Sequence, residues 1–216
     1  MPVRRSYELF WDRYAKMYTA FQERKNLKLY NNVGEFINKF LDSKMSVLEL
    51  ACGTGQITKR CASHAGKWTA TDFSENMIEC AKKECGSQNA IFGIADAHSL
   101  KYPDESYDAV VIANALHIMP EPEKALAEIR RVLKQDGILI APTFVYEGAE
   151  SVKRKTKLMF MKCFGFKPFS KWTSVQYRDF VTLSGYKVIQ QKLFGDDVLP
   201  ECVLVCKKED NNAQYI

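Results

Sequence analysis

Four polar residues fall at comparable places along the chain: Glu49, Asp72, Asp96 and Asn114. Each closes a short apolar run, in "VLELACGTGQI", "KWTATDF", "IFGIADAHSL" and "YDAVVIANALH". If those runs are strands of one parallel sheet, all four side chains gather at its carboxyl edge. Open α/β sheets bind ligands in that crevice. An acid at Asp72 suits the two hydroxyls of a ribose, or the cap of a helix starting near Ser74. Asp96 can accept from an exocyclic amine, and the amide of Ala97 can donate to a ring nitrogen. His117, just beyond the fourth run, is the candidate general base, with packing or substrate binding as the alternatives.

Gly53 and Gly55 follow the first run and bring bare backbone close to a ligand. The spacing departs from the dinucleotide fingerprint, because Thr58 takes the sixth position. No Lys-Ser or Lys-Thr follows the second glycine, so a phosphate loop is also excluded. Glu49, before the turn, would repel a diphosphate and attract a cation such as an amino-acid ammonium. Its bland alternative is to tie down neighbouring backbone amides. Phe73 and Met77 suit the faces of a flat base, or plain core.

The elements that must position these residues follow from hydrophobic periodicity. Strands are expected at Ser46–Ala51, Trp68–Thr71, Ala90–Ala95, Tyr107–Ala115 and Ile138–Phe144. The fourth and fifth are nearly continuous apolar runs, as in strands covered on both faces. Helical stretches alternate with them, and in "EPEKALAEIRRVLKQDG" Gly137 suits a C-terminal stop. The pattern predicts a doubly wound α/β fold with right-handed crossovers. "GYKVIQQKLF" and "ECVLVCKK" are separated by only six residues, too few for a parallel crossover. The last strand should therefore run antiparallel. Upstream, residues 6–41 read as helical, with Tyr7, Phe10, Trp11, Tyr14, Met17, Tyr18 and Phe21 on one face.

Together these residues resemble the class I S-adenosylmethionine-dependent methyltransferases. "VLELACGTG" is similar to their first motif, "ATDFSENMIECAKK" to the acidic loop, and "GIADAHSL" to the adenine loop. "YDAVVIANALHIMPEPEKALAEIRRVLKQDGILI" resembles the small-molecule branch that includes ubiquinone/menaquinone-type enzymes. The resemblance covers roughly residues 45–145. It implies a seven-stranded, mostly parallel sheet with an antiparallel last strand, under an N-terminal helical cap. It implies S-adenosylmethionine as cofactor and S-adenosylhomocysteine as product. By position, Glu49, Ala51, Gly53, Thr54 and Gly55 would surround the methionine portion, and Asn114, at the end of strand four, would also bind the cofactor. Asp72 would hold the ribose; Phe73, Met77, Asp96 and Ala97 would surround adenine. Tyr14 and Tyr18, one helical turn apart, would reach the cofactor from the cap or simply pack there.

The function implied is in-line methyl transfer to a small-molecule acceptor. A non-catalytic cofactor-binding module is the alternative, and an NAD-dependent oxidoreductase a weaker one, disfavoured by Thr58, Glu49 and the terminal hairpin. Residues 151–172 mix Lys153, Arg154, Lys155 and Lys157 with Phe160, Phe164, Phe166, Phe169 and Trp172. They suit an apolar or aromatic acceptor, or an amphipathic helix with a solvated basic face. "NALH" lacks the Pro-containing motifs of base-methylating enzymes, so a nucleic-acid substrate is not expected. The 216 residues suit one domain: cap (1–44), core (45–145), lid and helix (146–185) and hairpin (186–208). Net charge is a mild +5. Seven scattered cysteines, with no C-x-x-C pair, predict free thiols, no metal site and a reducing, cytoplasmic setting. No apolar run is long enough to span a bilayer.

Overall fold

The computed structural model describes residues 26–86, 89–148, 168–196 and 199–209. Tyr14, Tyr18 and most of the basic-aromatic segment lie outside the described residues. The seven expected strands are all present: β1 Ser46–Leu50, β2 Lys67–Asp72, β3 Ala90–Ile94, β4 Tyr107–Ile112, β5 Leu133–Phe144, β6 Tyr186–Phe194 and β7 Glu201–Lys208. They form one sheet in the order β3-β2-β1-β4-β5-β7-β6. β1 to β5 pair in parallel, while β7 is antiparallel to both β5 and β6. The strand order reverses between β1 and β4, which opens the crevice above their carboxyl ends.

Alternation along the strands divides the core into two layers. Leu48, Leu50, Val110, Ile112, Leu139 and Leu204 face one side. Val47, Ala109, Val111, Ile140, Val203 and Val205 face the other. A helix over 26–38 (α1) covers the second face through Val33 and Ile37. Helices α2 (Thr58–Cys61) and α3 (Glu75–Cys85) add Cys61 and Ile78 to that layer. Helices α4 (Pro122–Val132) and α5 (Ser174–Leu183) cover the first face with Leu126, Ile129, Tyr177 and Val181. Local sequence sets the helix starts. Ser74 accepts from the Met77 amide at 3.2 Å to cap α3, Pro122 opens α4, and Thr173 and Gln176 form a capping box on α5.

One expected boundary is corrected. α4 stops at Val132, not at Gly137, and the chain is extended from Leu133. The β4–β5 register shifts between Tyr107 and Ala109, which absorbs the extra residues. Gly137 is there for close approach: a Cβ would lie 3.0 Å from Leu133 Cδ2 and from the Lys134 carbonyl oxygen. Among the described residues, no helix is long and apolar enough to cross a membrane.

Candidate functional site

The carboxyl ends of β1, β2, β3 and β4 converge on a cavity of about 480 Å³. Ten of the expected residues line it: Glu49, Ala51, Gly53 and Thr54 from the first turn, then Asp72, Phe73 and Met77, and Asp96, Ala97 and Asn114. Gly55 and His117 do not line it.

The first turn is built from backbone that only certain residues tolerate. Ala51, Gly53 and Gly55 have φ of 53°, 55° and 83°. Asp72 locks this turn to the next. Its Oδ2 accepts from the Gly53 amide at 2.9 Å, and its Oδ1 accepts from the Ser74 amide at 3.0 Å. Ser74, rather than Asp72, supplies the side-chain cap of α3. A carboxylate has about four lone-pair sites, so it can accept from several donors at once.

Glu49 is 1 % exposed and is held from behind. Its Oε2 accepts from the Thr58 hydroxyl and from Trp68 Nε1 at 2.8 Å. The residue that breaks the dinucleotide spacing thus serves as a donor to this carboxylate. Burial pushes the Glu49 carboxyl up to about 7, against the opposing pull of those donors. Folding then favours the protonated form. Below pH 4.5 both folded and unfolded forms are neutral. As pH rises toward 7 the unfolded chain ionises first and stability falls, by up to about 1.4 kcal/mol per unit. His117 has the opposite sign. Burial pushes it down to about 3, so stability falls as pH drops from 6.5 toward 3. Glu49→Gln removes the first slope and keeps the second. Urea denaturation should show the variant gaining on wild type by up to about 3 kcal/mol between pH 4.5 and pH 7.5. A constant difference between the two proteins would place the carboxylate elsewhere energetically.

Two donors on the same turn have no partner among the described residues. Thr54 Oγ1 and Gln56 Nε2 are both buried and unsatisfied. Gln56 is oriented by Arg60, whose guanidinium donates to Gln56 Oε1 at 3.0 Å and to the Gln56 carbonyl at 2.7 Å. Arg60 in turn donates to Asn31 Oδ1 at 2.8 Å, fastening α1 to the turn. Gln56 was not expected; the signal was a glutamine one helical turn before an arginine.

His98 joins two cavity walls. Its Nδ1 lies 2.9 Å from Asp96 Oδ1, and its Nε2 lies 2.7 Å from the Pro120 carbonyl. Asp96 Oδ1 also accepts the His98 amide at 3.0 Å. His117 is 3 % exposed, with Nδ1 2.7 Å from Thr143 Oγ1. Its carbonyl accepts the Phe169 and Ser170 amides, at 2.9 and 3.1 Å. It therefore anchors the segment that leads into α5.

Among the described residues, the ionisable acidic and basic side chains on the cavity wall are Glu49, Asp72, Asp96, Glu121 and Lys124 beside His98, and Lys124 is paired with Glu121. A diphosphate would meet mostly carboxyl groups there, and no basic cluster among the described residues. A nucleoside carrying a cationic, amino-acid tail meets acceptors at Asp72 and Asp96, and orphan donors at Thr54 and Gln56.

Residues 48–141 match the methyltransferase domain model. Over that stretch the chain is similar to the methyltransferase family. It is 37% identical over 109 residues to the demethylmenaquinone methyltransferase of Clavibacter sepedonicus, covering 50% of this chain and 44% of that protein. It is 35% identical over 120 residues to the ubiquinone/menaquinone biosynthesis C-methyltransferase of Rickettsia akari, covering 51% and 48%. The chain spans about half the length of these curated relatives. Among solved structures, the methyltransferase complexed with the Trm112 activator in Haloferax volcanii superposes with a TM-score of 0.73. That match is 17% identical and covers 93% of this chain and 98% of the other, so it speaks for the fold. The family's cofactor, S-adenosylmethionine, fits the donors and acceptors of the cavity wall.

Proposed function

We propose that this chain transfers a methyl group from S-adenosylmethionine to a small aromatic acceptor bearing a hydroxyl, of the quinol type. The observation that carries the reading is the combined polarity of the cavity: ribose- and adenine-type acceptors at Asp72 and Asp96, orphan donors at Thr54 and Gln56, and, among the described residues, no cluster of phosphate-binding cations. The names of the relatives support the acceptor class, as does the apolar wall of Ala115, Ile118 and Met119. Six described cysteines are free, five of them buried, which supports a reducing, cytoplasmic setting.

S-adenosylmethionine supplies an electrophilic methyl group on a sulfonium. The chain supplies position. Asp72 holds the ribose hydroxyls, and Phe73 and Met77 flank the base. The carboxylate of Asp96 and the amide of Ala97 receive the adenine edge. Thr54 and Gln56 donate to the methionine carboxylate, beside the open space at Gly53. Such orientation supplies about 7–11 kcal/mol of barrier lowering in well-aligned cases. His117, buried and behind the wall, acts by holding the segment at Phe169 and Ser170.

Calorimetric titration tests the cofactor half, and labelled methyl donor with 1,4-naphthalenediol under reducing conditions tests the acceptor half. S-adenosylhomocysteine should bind about 100-fold or more tightly than NAD, and label should appear on the naphthalene ring. Preference for NAD would overturn the cofactor reading. Binding without labelled product would overturn the acceptor.

A further inference from the structure

On the acceptor side of the cavity, one wall residue is fixed by an unusual partner. Asn114 ends the turn after β4 in the left-handed region, at φ 54°, and its backbone N–H donates to the Pro142 carbonyl at 2.8 Å. Asparagine is among the few residues that tolerate this conformation. Its side chain reaches across to the start of β7, where Nδ2 donates to Glu201 Oε1 at 3.0 Å. Glu201 is completely buried, at 0 % exposure, opposite Phe144 of β5 and Phe194 of β6. No cation pairs with it among the described residues, and burial pushes its carboxyl up to about 7. Such a group is costly to keep unless it does something an apolar residue would not.

What it does follows from its bond. An amide has one donor end and one acceptor end, and these are interchangeable by a half-turn. With Nδ2 committed to Glu201, the acceptor end, Oδ1, is the one left over. Asn114 Oδ1 is buried and has no partner among the described residues, although the residue belongs to the cavity wall. An orphan acceptor beside a ligand cavity calls for a donor from the ligand.

Two features place that donor on the methyl acceptor rather than on the cofactor. Glu201 and Pro142 belong to β7 and β5, on the far side of β4 from the ribose-binding end of β2. The cofactor end of the cavity, moreover, already carries its own orphan groups at Thr54 and Gln56. We propose that Asn114 receives a hydrogen bond from the hydroxyl or amine of the methyl acceptor, and that Glu201 is the positioning residue that fixes the Asn114 amide for this purpose. The proposal rests on the methyltransferase reading and adds the group that selects acceptors bearing an O–H or N–H.

The test uses the full chain and two ligands. S-adenosylhomocysteine reports the cofactor site, and 1,4-naphthalenediol, titrated into the S-adenosylhomocysteine complex, reports the acceptor site. Glu201→Met keeps the volume and removes the pin. It should weaken naphthalenediol by about 10-fold while leaving S-adenosylhomocysteine within about 2-fold of wild type. Glu201→Gln retains an oxygen for Nδ2 and should recover to within about 3-fold. In an Asn114→Ala background, Glu201→Met should have no further effect on naphthalenediol, because its action runs through the missing amide. A merely structural glutamate would weaken binding additively in that background. Additivity, failure of Gln to recover binding, or a loss of S-adenosylhomocysteine affinity of about 10-fold in Glu201→Met would each overturn the assignment. If wild type binds S-adenosylhomocysteine but not naphthalenediol, the acceptor assignment falls and the cofactor reading stands. If it binds neither, the methyltransferase reading itself falls.

Discussion

Asp72→Ala should lower S-adenosylhomocysteine affinity by about 100-fold or more, the largest effect expected of any single polar change in the cavity. Two losses combine. The ribose loses an ionised acceptor, and hydrogen bonds to charged groups are worth about 1.5–3 kcal/mol each. The turn also loses its clasp, because the amides of Gly53 and Ser74 both end on this carboxylate. With the buried Ser74 amide and the half-buried Gly53 amide both left unsatisfied, stability should fall by about 2 kcal/mol. Asp72→Asn should not rescue either property. Both neighbours are N–H donors, so the Asn NH2 would face a donor wherever it turned. Calorimetry measures the first loss and urea denaturation the second. Affinity within about 3-fold of wild type in Asp72→Ala would remove the ribose from Asp72.

The seven strands, their alternation with helices and the antiparallel end were legible in the sequence, because each rests on local pattern. Buried parallel strands are continuous apolar runs, and a six-residue link forbids a crossover. The end of α4 was misplaced because Gly137 has two readings, helix stop and close contact. Only the packing of Leu133, Lys134 and Asp108 around it decides between them. At the site, residues at strand ends could be placed because topology sends them to one edge. What escaped the sequence were partnerships between distant residues. Trp68 donates to Glu49 across neighbouring strands, and Arg60 reaches Asn31 in another helix. Glu201 meets Asn114 across 87 positions. Nothing in "LPECVLVCKK" marks its glutamate as the partner of an asparagine in "ANALH". Periodicity assigns a residue to a face, and the partner on that face depends on the strand order of the whole sheet.

The same limit applies to the two glycines of "ACGTG", which look equivalent in sequence and should behave in opposite ways on mutation. At Gly53 an added Cβ meets nothing within 4 Å, so the space beside it is open cavity. Gly53→Ala carries the strain of φ +55°, about 1–2 kcal/mol, and places a methyl where the ligand must lie. Affinity for S-adenosylhomocysteine should fall by about 10- to 100-fold, with a modest drop in stability. At Gly55 the added Cβ would lie 2.6 Å from Cys85 Sγ and 3.4 Å from Ala81 Cβ, with φ at +83°. This glycine lets the turn pack on α3 and does not touch the cavity. Gly55→Ala should therefore lose about 3 kcal/mol or more of stability, from overpacking added to strain. The protein that remains folded should bind S-adenosylhomocysteine within about 3-fold of wild type. Cys85→Ala in the same chain removes the clashing sulfur and should return part of the stability, which separates overpacking from backbone strain. Equal losses of affinity in the two glycine variants would mean that both face the ligand. The division of labour between open space at Gly53 and helix contact at Gly55 would then be wrong.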